Sequence, residues 1–423
     1  MASLLGSCKR SRSSEPEAQQ IASTPADPVE VGKAPGRAPL SAKRARTADK
    51  SEPAEMASSA TSVSVAAPWI VDELADVGPA APAVATPEGV VFLRRDGHLS
   101  VSRLQGPWPM QKTAKPTTLE LSEARPSDFR PSGRRPEVFA GEAYFEYEGQ
   151  VVRRRIGDAT SLEVLAQDAL RGARVAVSWL GTDEKHGAPA VAYLARATHR
   201  TVARLWFPGS AVRELSPEGT SISSVTLVRV NGGLLALALE GRSGMSPLHA
   251  RRIRAKPPGN VDLGPDVVVW VGGTAQSLTE VTAVTAPEGG AYALLPIERD
   301  VTHFGLARIH VAAEPRMVAD VWWRNYPNGM EPAAVAAAWV CGVPAVFYAR
   351  PADATLRATR ELHLSWVTPR GLSSSQVVAS GRLIFNVSVA PLPQGALLSY
   401  VADRRTWARR FRCSQQTDSR TSH

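Results

Sequence analysis

A glycine turn that opens an apolar strand recurs seven times along this chain, each followed fourteen to nineteen residues later by an arginine. The glycines are Gly89, Gly141, Gly187, Gly233, Gly290, Gly342 and Gly395. The arginines are Arg103, Arg155, Arg204, Arg252, Arg308, Arg360 and Arg410. A period of about fifty residues marks a repeat architecture. Inside the period the pattern is β. From Gly290 to Ile309, Ala-Tyr-Ala-Leu-Leu-Pro-Ile enters a turn at Glu298 and returns as Leu-Ala-Arg-Ile. Asn231-Gly232-Gly233 is a hairpin signal of the same kind, because a tight turn needs positive φ, which Asn and Gly supply at little cost.

A unit of three or four strands cannot bury both of its faces alone, so it stacks on copies of itself, and seven such units close into a ring. The second strand of each unit is nearly continuous in apolar residues, for example Leu234 to Leu239 and Val346 to Ala349, as expected of strands buried on both faces. The expected fold is all-β, a seven-bladed β-propeller, with six blades as the alternative. The chain resembles propellers in general and matches no named propeller family: it has neither a Trp-Asp dipeptide nor a Ser-x-Asp-x-Gly-x-x-Trp box. The last unit runs out at Cys413 without an outer strand, so Trp69 to Leu74 is expected to complete the blade containing Phe385 to Phe411 and so close the ring.

The expected organisation is a signal-peptide remnant at 1–8, a disordered tether at 9–67, the propeller at 68–413 and a disordered tail at 414–423. The tether assignment rests on composition: residues 9–67 are rich in Ser, Ala, Pro and charge and too poor in large apolar side chains to offset their ordering entropy. Leu5-Gly6-Ser7-Cys8 resembles the lipobox of bacterial lipoproteins. That resemblance implies translation from an upstream start, lipid attachment at Cys8 and a place in the cell envelope, outer membrane or periplasm, with membrane contact only through the anchor. A free cysteine in a mobile arm is the alternative, with a cytoplasmic location. Lys43-Arg44-Ala45-Arg46 reads as basic charge diluted by Ala in a linker, with a nuclear localisation patch as the lesser alternative.

The remaining cysteines are Cys341 and Cys413. They are expected in neighbouring blades at different strand positions, which favours two separate buried thiols, with a disulfide as the alternative. No C-x-x-C, His-Glu-x-x-His, calcium loop or phosphate loop occurs, so no metal and no cofactor are expected. His98, His199 and His303 each precede a repeat arginine by five residues, which suggests equivalent solvated turns in three blades. The repeat arginines are read as outward side chains covering strand edges rather than as a ring of charge on one face. Trp322, Trp323, Arg324, Asn325 and Tyr326 form an aromatic and polar run, placed in a loop between units five and six. Exposed, it has the chemistry of sugar or peptide recognition; packed, it is outer-strand core. Pro-rich residues 107–136 and the segment Gly181 to Gly187 are further loop candidates.

The net charge of +9 is scattered through the repeats, which argues against a nucleic-acid partner. Turns that vary freely in length favour binding over catalysis. The leading reading is a monomeric, non-enzymatic envelope propeller that binds a protein or glycan. The alternatives are a secreted or periplasmic propeller hydrolase or lyase, and an intracellular scaffold.

Overall fold

The computed structural model describes residues 69–94, 97–103, 135–158, 160–181, 187–241, 246–256, 259–272, 281–298, 302–312, 314–326, 334–352, 359–368 and 371–413. These residues form seven small antiparallel sheets in a ring, a seven-bladed β-propeller, with no helix among them. Cys8, the 9–67 segment, the basic patch at Lys43, most of the Pro-rich loop, residues 182–186 and the 414–423 tail lie outside the described residues.

Strand β1 (Trp69–Pro79) comes first in sequence but belongs to the last blade. Blade one is β2 (Ala83–Thr86), β3 (Gly89–Leu93) and β4 (Leu99–Arg103). Blade two is β5 (Glu137–Phe139), β6 (Glu142–Tyr147), β7 (Gln150–Arg155) and β8 (Glu163–Ala166). Blade three holds β9 (Ala176–Gly181), β10 (Gly187–Arg196), β11 (Thr201–Trp206) and β12 (Arg213–Glu214). Blade four holds β13 (Ile222–Val230), β14 (Gly233–Glu240), β15 (Ser246–Lys256) and β16 (Asn260–Gly272). In blade five these are β17 (Thr282–Thr285), β18 (Ala291–Glu298), β19 (Thr302–His310) and β20 (Arg316–Tyr326). Blade six has β21 (Ala334–Val340), β22 (Val343–Pro351) and β23 (Thr359–Thr368), the last pairing with both β24 (Gly371–Leu372) and β25 (Gln376–Arg382). Blade seven is β26 (Phe385–Leu392), β27 (Gly395–Ala402), β28 (Arg405–Cys413) and, outermost, β1.

The expected closure is present. β1 runs antiparallel to β28 with Trp69 opposite Cys413, Leu74 opposite Arg409 and Pro79 opposite Arg405. Thr406 adds a bond from its hydroxyl to the Pro79 carbonyl at 2.8 Å. Pairing the two ends of the ring in one sheet removes the edges that an open array would expose.

Alternation along the second strands builds the core between blades. Leu234, Ala236 and Ala238 face blade three, against Leu180 and Leu205, whereas Leu235, Leu237 and Leu239 face blade five, against Ala291 and Ile309. Each fully buried leucine contributes about 1.5–3 kcal/mol. The Gly that opens these strands is required by close approach: at Gly233 (φ +148°) a Cβ would lie 2.2 Å from the Ile253 carbonyl oxygen, and at Gly89 (φ +150°) 2.1 Å from that of Ser102.

The arginine half of the repeat is less regular in space than in sequence. Arg252, Arg308 and Arg410 lie opposite the residue two after their turn glycine, namely Leu235, Tyr292 and Leu397. In blade two that position, opposite Ala143, belongs to Arg154 rather than Arg155. Arg360 pairs with Pro351 at the other end of its strand. Nor do these side chains simply cover edges. Arg154 is buried and donates to the Gly97 carbonyl of blade one at 3.1 Å, and Arg252 donates to the Ala312 carbonyl beyond blade five's third strand at 3.0 Å. They tie one blade to the next.

The cysteines also depart from expectation: Cys341 and Cys413 form a disulfide, with Cα atoms 5.4 Å apart. Cys341 does not end a strand but occupies the turn after Val340 at φ +54°, and this brings it to the end of β28 in the neighbouring blade.

Candidate ligand-binding channel

Each blade contributes its first strand to the axis, in the order β2, β5, β9, β13, β17, β21 and β26. These strands enclose a cavity of about 290 Å³. Because each blade is an antiparallel meander, the face where the first strands begin also carries the turns between second and third strands. Arg135 and Arg174, each two residues before its blade's first strand, therefore sit towards that face.

The channel wall divides by chemistry. Blades two and three supply charge. Arg174 donates from Nε to Glu137 Oε1 at 2.6 Å and pairs with the same oxygen through Nη2, while Arg135 Nε lies 3.6 Å from it. Arg135 also donates from Nη1 to the Val387 carbonyl and so links blade two to blade seven. Blades four, five and seven supply hydroxyls at one level. Thr226, Thr282 and Ser388 each lie opposite the residue four after the turn glycine, namely Leu237, Leu294 and Ser399. Ser388 Oγ accepts from the Ala85 amide at 3.1 Å. Thr282 is buried, and its Oγ1 has no hydrogen-bond partner among the described residues. Ala336 and Ala337 of blade six and Val84 and Ala85 of blade one add apolar wall, beside Thr86, whose hydroxyl donates to the Gly89 carbonyl at 3.1 Å. A second cavity of about 150 Å³ between blades three and four shares Arg174, with Gly172 and Ser223.

None of these channel residues follows from motif reading. A signal existed nonetheless: Thr226 and Ser388 each stand seven residues before their turn glycine and Thr282 eight before its own, so aligning first strands on the glycines brings the hydroxyls together.

The run Trp322, Trp323, Arg324, Asn325 and Tyr326 is not in a loop. It is the end of β20, the outer strand of blade five, where Trp322 lies opposite Leu306 and Tyr326 opposite Thr302. His303 likewise stands in a strand, opposite Ile297, whereas His98 and His199 are in turns. Two histidines that carried no assignment prove to be buried. His249 lies between Asp266 and Glu240, and His363 stacks on Tyr348 with ring centroids 5.4 Å apart. Among the described residues no group of three or more His, Cys, Asp or Glu is placed to hold a metal ion, and no helix is long and apolar enough to cross a membrane.

No family model and no curated protein matches the sequence. Solved structures resemble the chain at a distance. A mutant of the Aleuria aurantia lectin in complex with Fucalpha1-6GlcNAc is 10% identical, over 63% of this chain and 90% of the lectin, with a TM-score of 0.39. A puromycin-hydrolyzing peptidase of Mycobacterium tuberculosis is 16% identical over 80% of this chain, which spans about half (52%) of the peptidase, with a TM-score of 0.45. A Trypanosoma rangeli sialidase is 12% identical, over 80% of this chain and 59% of the sialidase, with a TM-score of 0.35. Likenesses this distant assign no function.

Proposed function

We propose that this protein is a non-enzymatic binding propeller of the cell envelope, anchored by lipid on Cys8, whose face around the channel receives a protein or glycan. The observation that carries the binding half is a central cavity whose lining gathers guanidinium-, carboxylate- and hydroxyl-bearing residues from several blades, polar groups of the kind that orient a ligand. The envelope half draws support from the Cys341–Cys413 bridge, since disulfides persist in oxidising compartments. With that pair joined, Cys8 is the remaining cysteine of the chain.

Two measurements test the two halves. Expressed from an extended upstream start, the protein should enter the detergent phase on phase separation, and Cys8→Ala should abolish this; soluble behaviour of both forms defeats the anchor. On an immobilised glycan and peptide panel, the full chain should retain a defined subset that Thr226→Val with Ser388→Ala weakens. Retention that ignores these changes would move the binding surface away from the channel.

A further inference from the structure

We propose that one corner of the channel face, where blade seven begins, docks an acidic extended segment of a protein partner; this deepens the binding reading above by naming the class of partner. Strand β26 starts with Phe385 on the face where the first strands begin, and the β27–β28 turn, Ala402 to Arg405, stands on the same face. The two are tied together. The Arg382 amide donates to Asp403 Oδ1 at 2.9 Å, and the Asp403 amide donates to the Arg382 carbonyl at 3.2 Å. The Arg404 carbonyl accepts from the Ala80 amide, on the chain entering blade one, at 3.1 Å. Arg135 of blade two donates to the Val387 carbonyl, which sets this corner at the channel mouth.

The corner is unfavourable for the protein alone. Leu383 is 62% exposed and Phe385 38%, on either side of Ile384, which is buried. Leu383 is the most exposed large apolar side chain among the described residues. Its backbone is also left-handed, at φ +52°, a conformation that bulky residues rarely adopt. Asn386, Asp403 and Arg404 share positive φ, so four of the seven non-glycine residues of this kind among the described residues meet in one corner. A two-residue hairpin turn with positive φ at both positions favours Asn-Gly, yet Asp403 and Arg404 fill it. Strain of this kind collects where a ligand is held, and Leu383, left in water, gains little packing in return.

Charge names the partner. Arg382 and Arg404 are exposed, and among the described residues neither guanidinium has a hydrogen-bond or ion-pair partner. Two cations beside exposed apolar side chains complement carboxylates that flank an apolar residue, each guanidinium offering paired N–H donors to one of them. Asp403, bonded to the Arg382 amide and adjacent to Arg404, completes a positive-negative-positive pattern. A segment with spaced acidic side chains matches that pattern, whereas a uniformly anionic lipid surface sets charge against Asp403. A neutral glycan would leave both guanidiniums without counter-charge and Leu383 without an apolar cover.

Fluorescence anisotropy of a labelled peptide carrying Asp-Leu-Phe-Asp between Gly-Ser flanks, titrated with the full chain, tests this. It should bind at least about tenfold more tightly than Asp-Ser-Ser-Asp or Lys-Leu-Phe-Lys in the same flanks, because each of these lacks half of the recognition. Leu383→Asn and Arg404→Gly both suit a left-handed backbone, so each should keep or raise Tm. Each should nonetheless weaken the peptide by about three- to tenfold, an effect that a purely structural role would not produce. Arg382→Gln should weaken Asp-Leu-Phe-Asp and leave Lys-Leu-Phe-Lys unchanged. Equal affinity for the three peptides, no binding at millimolar concentration, or indifference to both left-handed substitutions overturns the proposal. So does sedimentation of the full chain with phosphatidylglycerol vesicles, lost in Leu383→Asn, when the peptides fail: the corner is then a lipid contact. If the peptide fails while the panel still shows retention weakened at Thr226 and Ser388, the partner class falls and the binding reading stands. Peptide binding that needs Leu383 but ignores those channel changes upholds the proposal and moves the binding surface to the rim. Failure of both removes both.

Discussion

His249 Nδ1 lies 2.9 Å from Asp266 Oδ2, and the opposite ring nitrogen lies 3.3 Å from Glu240 Oε2, so three neighbouring strands of blade four meet at one buried imidazole. Burial works to lower the His249 pKa, but Asp266 and then Glu240 outweigh it and hold the pKa above the ordinary value. A raised folded-state pKa stabilises the fold fully below the unfolded value of about 6.5, and this contribution fades as pH climbs through the folded one. Calorimetric melting should therefore show Tm falling as pH rises past the unfolded value, and His249→Gln should flatten that slope. An unchanged slope would place the titration elsewhere.

Breaking the Cys341–Cys413 bridge should loosen the junction of blades six and seven. The bond joins residues 72 apart in sequence, and disulfides closing loops of that order contribute on the order of 2–4 kcal/mol. Cys341→Ser should lower the urea midpoint accordingly, and dithiothreitol should do the same to the natural protein while leaving the variant unaffected.

Truncation tests the closing strand. Deletion of residues 1–60 should leave Tm nearly unchanged. Deletion through residue 76 removes most of β1, exposes the β28 edge and should give an unfolded or aggregated product on size-exclusion chromatography. Equal stability of the two forms would mean that β1 contributes nothing to closure.

Two turn glycines should respond differently to alanine. At Gly233 the new methyl meets the Ile253 carbonyl at 2.2 Å on a left-handed backbone, so Gly233→Ala should cost about 2–4 kcal/mol in chemical unfolding. At Gly342 (φ +75°) nothing lies within 4 Å, and Gly342→Ala should cost only the backbone term, about 1 kcal/mol.

The fold was legible because its strongest determinants are local. Turn glycines and apolar second strands repeat in the sequence itself, and the missing outer strand after Cys413 could be matched to the spare one at Trp69. Position across blades was not legible. Arg154 and Arg155 are adjacent and look interchangeable, yet register decides which one bridges to Gly97. Cys341 appeared too far from Cys413 because its positive φ, which turns the thiol towards the next blade, has no signature in a non-glycine residue. The channel residues come from all seven blades, and only the closed ring brings Arg174 and Thr282 to one cavity.

The pairing of β1 with β28 also fixes a sequence of events in time. The Thr406 hydroxyl and the Pro79 carbonyl that it bonds are 327 residues apart. At about 5–20 residues per second, the ribosome finishes β1 many seconds before its partner emerges. Throughout that interval an apolar strand waits without its sheet while six blades are made, exposed to any chaperone or stray strand that reaches it first. Closure can only be the final act of synthesis, and the fraction of chains that completes it depends on how well that first strand is kept from other company.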